Sequence, residues 1–176
     1  MTRPDPREYQ FPDPSLTLGQ ALAWHRARVP GFIEGDDAVS RALFGAHDAV
    51  HVLFGCGTSM ADEGRADGWT LLATTMTFRE YLAFAQHPVT KALFASLTAR
   101  DWLASFAGLV DLPRMWWRAR QMTRPWPFDR YTEHLDRTLA EIRAEYRITP
   151  TRPPTTVGGV WSEGAARGVE GSAQPG

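Results

Sequence analysis

Apolar residues recur at three- and four-residue spacings through most of the chain from Leu18 to Tyr146, the period of helices that bury one face. Thr17 predicts an N-cap for a first helix from Leu18 to about Arg28, with Leu18, Leu22 and His25 on one side and Pro30-Gly31 as its stop. Asp36 or Asp37 caps a second helix running to about Phe54, in which Val39, Leu43, Val50 and Phe54 fit helical spacing. Gly55 and Gly57 then break the chain, and Thr58 or Ser59 starts a long third helix reaching about Phe84. Its core candidates are Trp69, Leu72, Met76 and Leu82, with a kink near Thr77. Pro88 suits the first turn of a fourth helix ending about Leu97. Thr98 caps a fifth, Ala99 to about Gln121, bent at Pro113. A sixth, from about Asp129 to Tyr146, carries Leu135, Leu139, Ile142 and Tyr146 on one face and restarts near Asp136. No period-two run predicts a strand, so the pattern predicts an all-α single domain of about six helices over residues 15–148.

Outside that span the pattern fades. Residues 1–14 read as an extended, proline-rich arm, and residues 149–176, with six glycines and four prolines, as a disordered tail. A formal net charge of -1 gives no reason to expect nucleic acid as a partner. The single cysteine, Cys56, cannot form a disulfide within the chain and reads as a small packed residue. No apolar run reaches membrane-spanning length and the first residues lack an apolar signal core, which predicts a cytoplasmic location.

The second helix adds chemistry to this frame. Within the run HDAVHVLFGCGTSMADE, His47, Asp48, His51 and Glu63 form the pattern H-D-x-x-H-x11-E. Residues four apart share a helix face, so His47 and His51 point the same way, and Asp48 lies about 100° round from His47. Three ligands thus converge from one helix, and Glu63, across the glycine break, closes the site from the next helix if the two pack antiparallel. Histidines joined by carboxylates suit zinc, iron or manganese, with zinc the first choice. Buried charge without a partner or a metal is costly, so a bare structural role is the poorer account of four such residues among apolar neighbours.

H-D-x-x-H-x11-E resembles the signature of the Coq4 family of ubiquinone (coenzyme Q) biosynthesis proteins. The V-L-F-G after His51, Thr58-Ser59-Met60 before Glu63, the long helix through Trp69 and the closing W-P-F-D-R-Y to L-A-E-I-R-A-E-Y segment are also similar to that family. Gly57 stands where many members have proline, Asp62 where many have glycine, and Thr138 where proline is common. The resemblance implies that His47, Asp48, His51 and Glu63 hold a divalent metal between the second and third helices and form the catalytic site. It implies a lyase acting in C1 oxidative decarboxylation of a prenylated hydroxybenzoate. The alternative is a non-catalytic, metal-stapled scaffold that binds prenyl lipid and organises the other quinone-biosynthesis enzymes. A metal-dependent phosphohydrolase is a third reading, weakened by the poor contexts of Asp101, Asp111, His87 and His134 as further ligands.

The fifth helix carries a second candidate surface. Arg114, Arg118, Arg120 and Arg124 alternate with Met115, Trp116, Trp117, Met122 and Trp126, and no acidic residue occurs from Leu112 to Phe128. Such a helix either buries a Met/Trp side with arginines in water, or lies on an anionic membrane surface. The resemblance to a family that handles polyprenyl lipids favours the second, with Arg114, Trp116, Trp117, Arg118 and Arg120 as the contact set. This predicts peripheral attachment to the cytoplasmic face of the inner membrane, with an isoprenoid lipid or quinone precursor as ligand; the exposed tryptophans equally suit a homodimer. An apolar groove lined by Leu53, Phe54, Trp69, Leu72, Met76, Phe94 and Leu97 is expected to hold the lipid, although core packing accounts for the same residues.

Overall fold

The structure, a computed structural model, describes residues 11–29 and 37–151. The Pro30-Gly31 stop, the Asp36 cap, the arm through residue 10 and the tail from residue 152 lie outside them. Among the described residues the chain is helical and has no strand, only isolated bridges between Thr17 and Thr138 and between Thr74 and Trp126. The helices are α1 (Leu18–Arg26), α2 (Ala38–Phe54), α3 (Met60–Ala73), α4 (Phe78–Ala85), α5 (Pro88–Ser96), α6 (Ala99–Gly108), α7 (Leu112–Ala119) and α8 (Leu139–Tyr146), with 3-10 segments at Leu109–Asp111 and Phe128–His134.

Eight α-helices stand where six were expected because the third and the fifth of those each divide in two. At the end of α3, Thr70 and Thr74 turn their hydroxyls back onto the carbonyls of Ala66 and Thr70, at 2.9 and 2.6 Å. Threonines bonded this way compete with the helix ladder. Thr74 then leaves the helix in extended conformation, and Thr77 and Glu80 form a reciprocal capping box that starts α4. The expected kink at Thr77 is therefore a full break. The last expected helix does not add to the count but shortens: Thr138 and Glu141 form the capping box of α8, and the segment before it is 3-10 helix. The expected fifth helix is two: α6 ends at Gly108, the 3-10 segment Leu109–Asp111 follows, and Pro113 sits in the first turn of a separate α7.

α2 runs through the core, burying Ala46, Ala49, Val50, Val52, Leu53 and Phe54 between α1, α3 and the 3-10 segment at Phe128–His134. Phe54 stacks on Trp69 of α3 at 4.8 Å between ring centroids, a pairing worth about 1 kcal/mol beyond its buried area. Trp126, Met115, Leu139, Ile142 and Tyr146 complete the cluster. Leu82 and Val39 depart from the expected core: both are exposed, because α4 buries no residue fully and Val39 lies in the first turns of α2.

The C-terminal end of α2 is held by complete pairing of its last carbonyls, which helix geometry leaves without intrahelical donors. His51 O accepts from Gly55 and Cys56 N–H, with Gly55 in the left-handed region at φ 72°. Arg143 of α8 donates to Val52 O at 2.7 Å and Leu53 O at 3.0 Å, and Thr151 N–H donates to Phe54 O at 2.7 Å. Burial lowers the Arg143 pKa to about 10, so it remains a cation against the negative end of the helix dipole. Thr151 also accepts from Trp69 Nε1 at 2.8 Å, which seats the start of the expected disordered tail on the helical body. Cys56 is fully buried in the same turn, as a packed residue.

α3 is fixed on its other side by two glycines. A Cβ at Gly64 would meet Ser105 O at 2.2 Å, and one at Gly108 would meet Ala61 O at 2.1 Å. Only hydrogen allows α3 and α6 to approach so closely. That crossing sets the height of Glu63, the neighbour of Gly64, against α2.

Candidate metal centre

His47 and His51 project from one face of α2, and Glu63 from the first turn of α3 across the Gly55–Ser59 turn. Ser59 caps α3 by accepting from Asp62 N–H at 3.2 Å. Asp62 is buried and spent on structure: it accepts from Ser59 Oγ at 2.7 Å and from Arg65 at 2.8 Å, while Arg65 also bonds Asp111 at 2.7 Å.

Three donor atoms converge. His47 Nε2 and His51 Nε2 are 3.1 Å apart, and each lies 3.3 Å from Glu63 Oε2. A tetrahedral ion with bonds of about 2.0–2.1 Å needs ligand atoms about 3.3–3.4 Å apart, so the triangle has the dimensions of a metal's ligand face. Two neutral imidazoles and one carboxylate form the donor set of hydrolytic zinc sites and of non-haem iron sites, each with an open coordination position. The residues present therefore fit a divalent metal between α2 and α3.

Asp48 does not join them. Its Oδ2 accepts from Arg26 Nε of α1 at 2.9 Å, so the expected four-residue set reduces to three converging groups and one carboxylate engaged elsewhere. The reason is angular: one residue after His47 the helix has turned toward α1, where Arg26 waits.

His51 Nδ1–H donates to Gly57 O at 2.9 Å. That bond fixes the tautomer and leaves the Nε2 lone pair facing the cluster, the usual outer-sphere support of a metal-binding histidine. Gly57 thus serves through its backbone carbonyl, which a proline there would also supply. Burial opposes charge on His51, but Glu63, by charge and hydrogen bond, with Asp48 and Gly57, outweighs it and raises the pKa to about 9. Glu63 is pulled well below the carboxylate range: burial works against this, and His51 and His47 overcome it. In the metal-free protein His51 and Glu63 are accordingly an ion pair that holds a proton where a metal would sit.

Sequence reasoning misses several neighbours. Asp67 lies four residues after Glu63, one turn along the same face of α3, and that spacing was the available signal. Burial raises its pKa despite His47 and a hydrogen bond from the Tyr81 hydroxyl of α4. Tyr81 is raised as well, by burial first and then by Asp67, and stays a donor. His25 of α1, expected only on the apolar side of its helix, packs its ring 5.2 Å from His51, and burial drives its pKa to about 3, so it is neutral.

These groups share a pocket of about 430 Å³, walled by apolar residues including Phe44, Met60, Phe84, Phe94, Leu97 and Trp102. Of the expected groove residues, Phe94 and Leu97 line it; Leu53, Phe54 and Trp69 are buried core, and Met76 lines a separate pocket beyond Phe84. The α7 set also divides. Met115 and Trp126 are core, Arg118 donates to Pro150 O at 2.8 Å, and Arg124 pairs with Glu145. Trp116 and Trp117 are exposed, with Arg120 over the Trp116 ring at 4.8 Å. Leu103 and Phe106 of α6, and Val110 after it, are exposed as well. No described helix is long and apolar enough to cross a membrane.

The chain matches no family model, no curated protein and no solved structure.

Proposed function

We propose that this protein is a metal-dependent enzyme of prenylated quinone biosynthesis that removes the C1 carboxyl group from a prenylated hydroxybenzoate. The observation that carries the reading is the three-donor triangle lining an apolar pocket. The H-D-x-x-H-x11-E resemblance to the Coq4 family supplies the substrate class.

Each residue has a task under this reading. His47, His51 and Glu63 hold the ion, and Gly57 O keeps the His51 lone pair aimed. The ion supplies Lewis acidity toward a carboxylate or phenolate oxygen and, if redox-active, a route to oxygen. Phe84, Phe94, Leu97 and Trp102 exclude water from the ring and the start of its tail. Asp67, hydrogen-bonded by Tyr81, is placed to hand a proton to the ring or take one from it. Cleavage breaks the C1–carboxylate bond, releases carbon dioxide and leaves its electron pair on the ring. Placing a hydroxyl at the same carbon then takes one atom of dioxygen, and the other leaves as water with two electrons from an external reductant and protons from solvent.

The test is direct. Purified protein loaded with zinc, iron or manganese is given a prenylated hydroxybenzoate in air, and labelled carbon dioxide is collected. Release with at least one metal is expected, falling by a factor of at least about a hundred in Glu63→Ala. Absence of release with all three metals rejects the catalytic reading.

The exposed surface on α6 and α7 favours a second role beside the first, docking on an anionic membrane that carries the lipid substrate. Because Arg118 is bound to Pro150, the informative variant changes Arg114 and Arg120 to Glu and Trp117 to Ala. At about 1 kcal/mol per basic residue near an anionic surface, recovery with phosphatidylglycerol vesicles is expected to fall at least about tenfold. Unchanged recovery rejects the membrane role, and a shift in oligomeric state instead assigns the surface to a homodimer.

A further inference from the structure

We propose that Thr90 is a specificity-determining contact of the metal-site pocket, recognising an oxygen substituent on the bound aromatic acid. This rests on reading the pocket as a hydroxybenzoate site, and extends it to a residue that no motif marks.

Thr90 lies on α5 and lines the pocket, yet it is only 2% exposed and its Oγ1 has no hydrogen-bond partner. A buried hydroxyl without a partner costs free energy, and such groups are rare in folded proteins. Buried threonines elsewhere in this protein solve the problem by bonding the carbonyl four residues back, as Thr70 and Thr74 do. Thr90 is the third residue of α5, and the residue four back, Gln86, precedes the helix across Pro88. Position therefore denies Thr90 the usual solution. A valine or alanine in place of Thr90 would leave no unpaired group, so the hydroxyl calls for a partner from the pocket itself.

The surroundings define that partner. His87, the N-cap of α5, makes no side-chain cap, so the first turn presents the positive end of the helix dipole, which favours an oxygen bearing partial or full negative charge. Beside Thr90, the rings of Phe94 and Trp102 stand 5.5 Å apart along the same wall, a surface suited to a planar ring. On this proposal the carboxylate of an aromatic acid meets His47, His51 and Glu63, its ring lies on this wall, and a second oxygen takes up the Thr90 hydroxyl, which is covered in this structure. The ligand class is a benzoate carrying a hydroxyl, phenolate or alkoxy oxygen, as opposed to an unsubstituted benzoate.

Thr90→Val removes the hydroxyl and keeps the shape; Thr90→Ser keeps the hydroxyl. Binding of benzoate and the three monohydroxybenzoates to the zinc-loaded and the zinc-free full-length protein is measured by titration calorimetry. At least one hydroxy isomer is expected to bind wild type about five- to tenfold more tightly than benzoate. Thr90→Val should bring that isomer to within about twofold of benzoate while leaving benzoate unchanged, and Thr90→Ser should keep the preference. The ligand-free Thr90→Val protein should melt about 3 °C higher, since it loses an unpaired buried hydroxyl. A preference that survives Thr90→Val, or its absence from wild type, overturns the proposal. If the metal reading alone fails, the Thr90-dependent preference persists without zinc. If Thr90 alone fails, the zinc-loaded protein binds these acids indifferently to residue 90. No binding of any acid rejects both.

Discussion

His51→Ala, His47→Ala and Glu63→Ala are each expected to lower zinc affinity by well over a hundredfold, whereas Asp48→Ala lowers it by no more than about tenfold. The contrast follows from where the four side chains go. Loss of an outer-sphere partner of a metal site typically costs ten- to a hundredfold in affinity, so loss of a direct ligand from a three-ligand set must exceed that range. Asp48 acts only at a distance, through its charge near His51, and its own oxygen is committed to Arg26. Competition against a chromogenic chelator gives the affinities, and elemental analysis gives the stoichiometry. Circular dichroism of each variant checks that the fold survives. His51→Ala is the variant most exposed to misfolding, because His51 is 2% exposed and its loss strips Gly57 O of a partner. Glu63→Gln, at a half-exposed side chain of similar shape, keeps the comparison decisive. Asp48→Ala losing metal as severely as Glu63→Gln would restore the four-ligand set and overturn the present one.

The same contrast shows what was legible in the sequence. His47 and His51 are four apart on a helix whose apolar period is unambiguous, so their convergence could be read directly. Glu63 needed only a tight turn and an antiparallel return, and the glycines at 55 and 57 announced that turn. Asp48 stands apart from the three because spacing gives the direction in which a side chain leaves its helix and says nothing of what stands there. Arg26, 22 residues earlier, could not be placed beside it from periodicity. Tyr81, His25 and Thr90 were hidden for the same reason: each comes from a different stretch of chain, and only tertiary packing brings them to one pocket, whereas Asp67, one turn after Glu63, could have been read from spacing. Helix number erred where local capping competed with the long-range apolar pattern. The T-x-x-E sequence at Thr77–Glu80, a reciprocal capping box in the structure, was one overlooked signal, and Pro113, which suits the first turn of a new helix, was the other.

Metal affinity is expected to rise about tenfold per pH unit between about pH 6.5 and 9 and to level off above. The cause is competition for one lone pair. Burial disfavours a charged His51, but Glu63, with Asp48 and Gly57, raises its pKa to about 9, so at neutral pH a proton occupies the Nε2 position that a metal needs. Binding must expel that proton. At pH 7 about one proton is therefore released per ion, measurable by calorimetry in buffers of different ionisation heat. The stability of the metal-free protein runs the other way. A folded pKa raised above 6.5 contributes stability that is full below pH 6.5 and lost as pH rises through about 9. The depressed Glu63 contributes above pH 4.5 and loses its contribution as pH falls. The His51–Glu63 pair thus supports the metal-free fold best between about pH 4.5 and 6.5, and the rise in Tm on adding zinc should widen from pH 6.5 to 9. A constant increment, or no proton release at pH 7, would remove the ion pair from the metal-free state. The pair also separates the two roles of the metal. Because a proton already satisfies His51 and Glu63, the fold does not need an ion to neutralise them, and a chelated protein that keeps its helical spectrum at pH 6 assigns the metal to chemistry and not to holding the helices together.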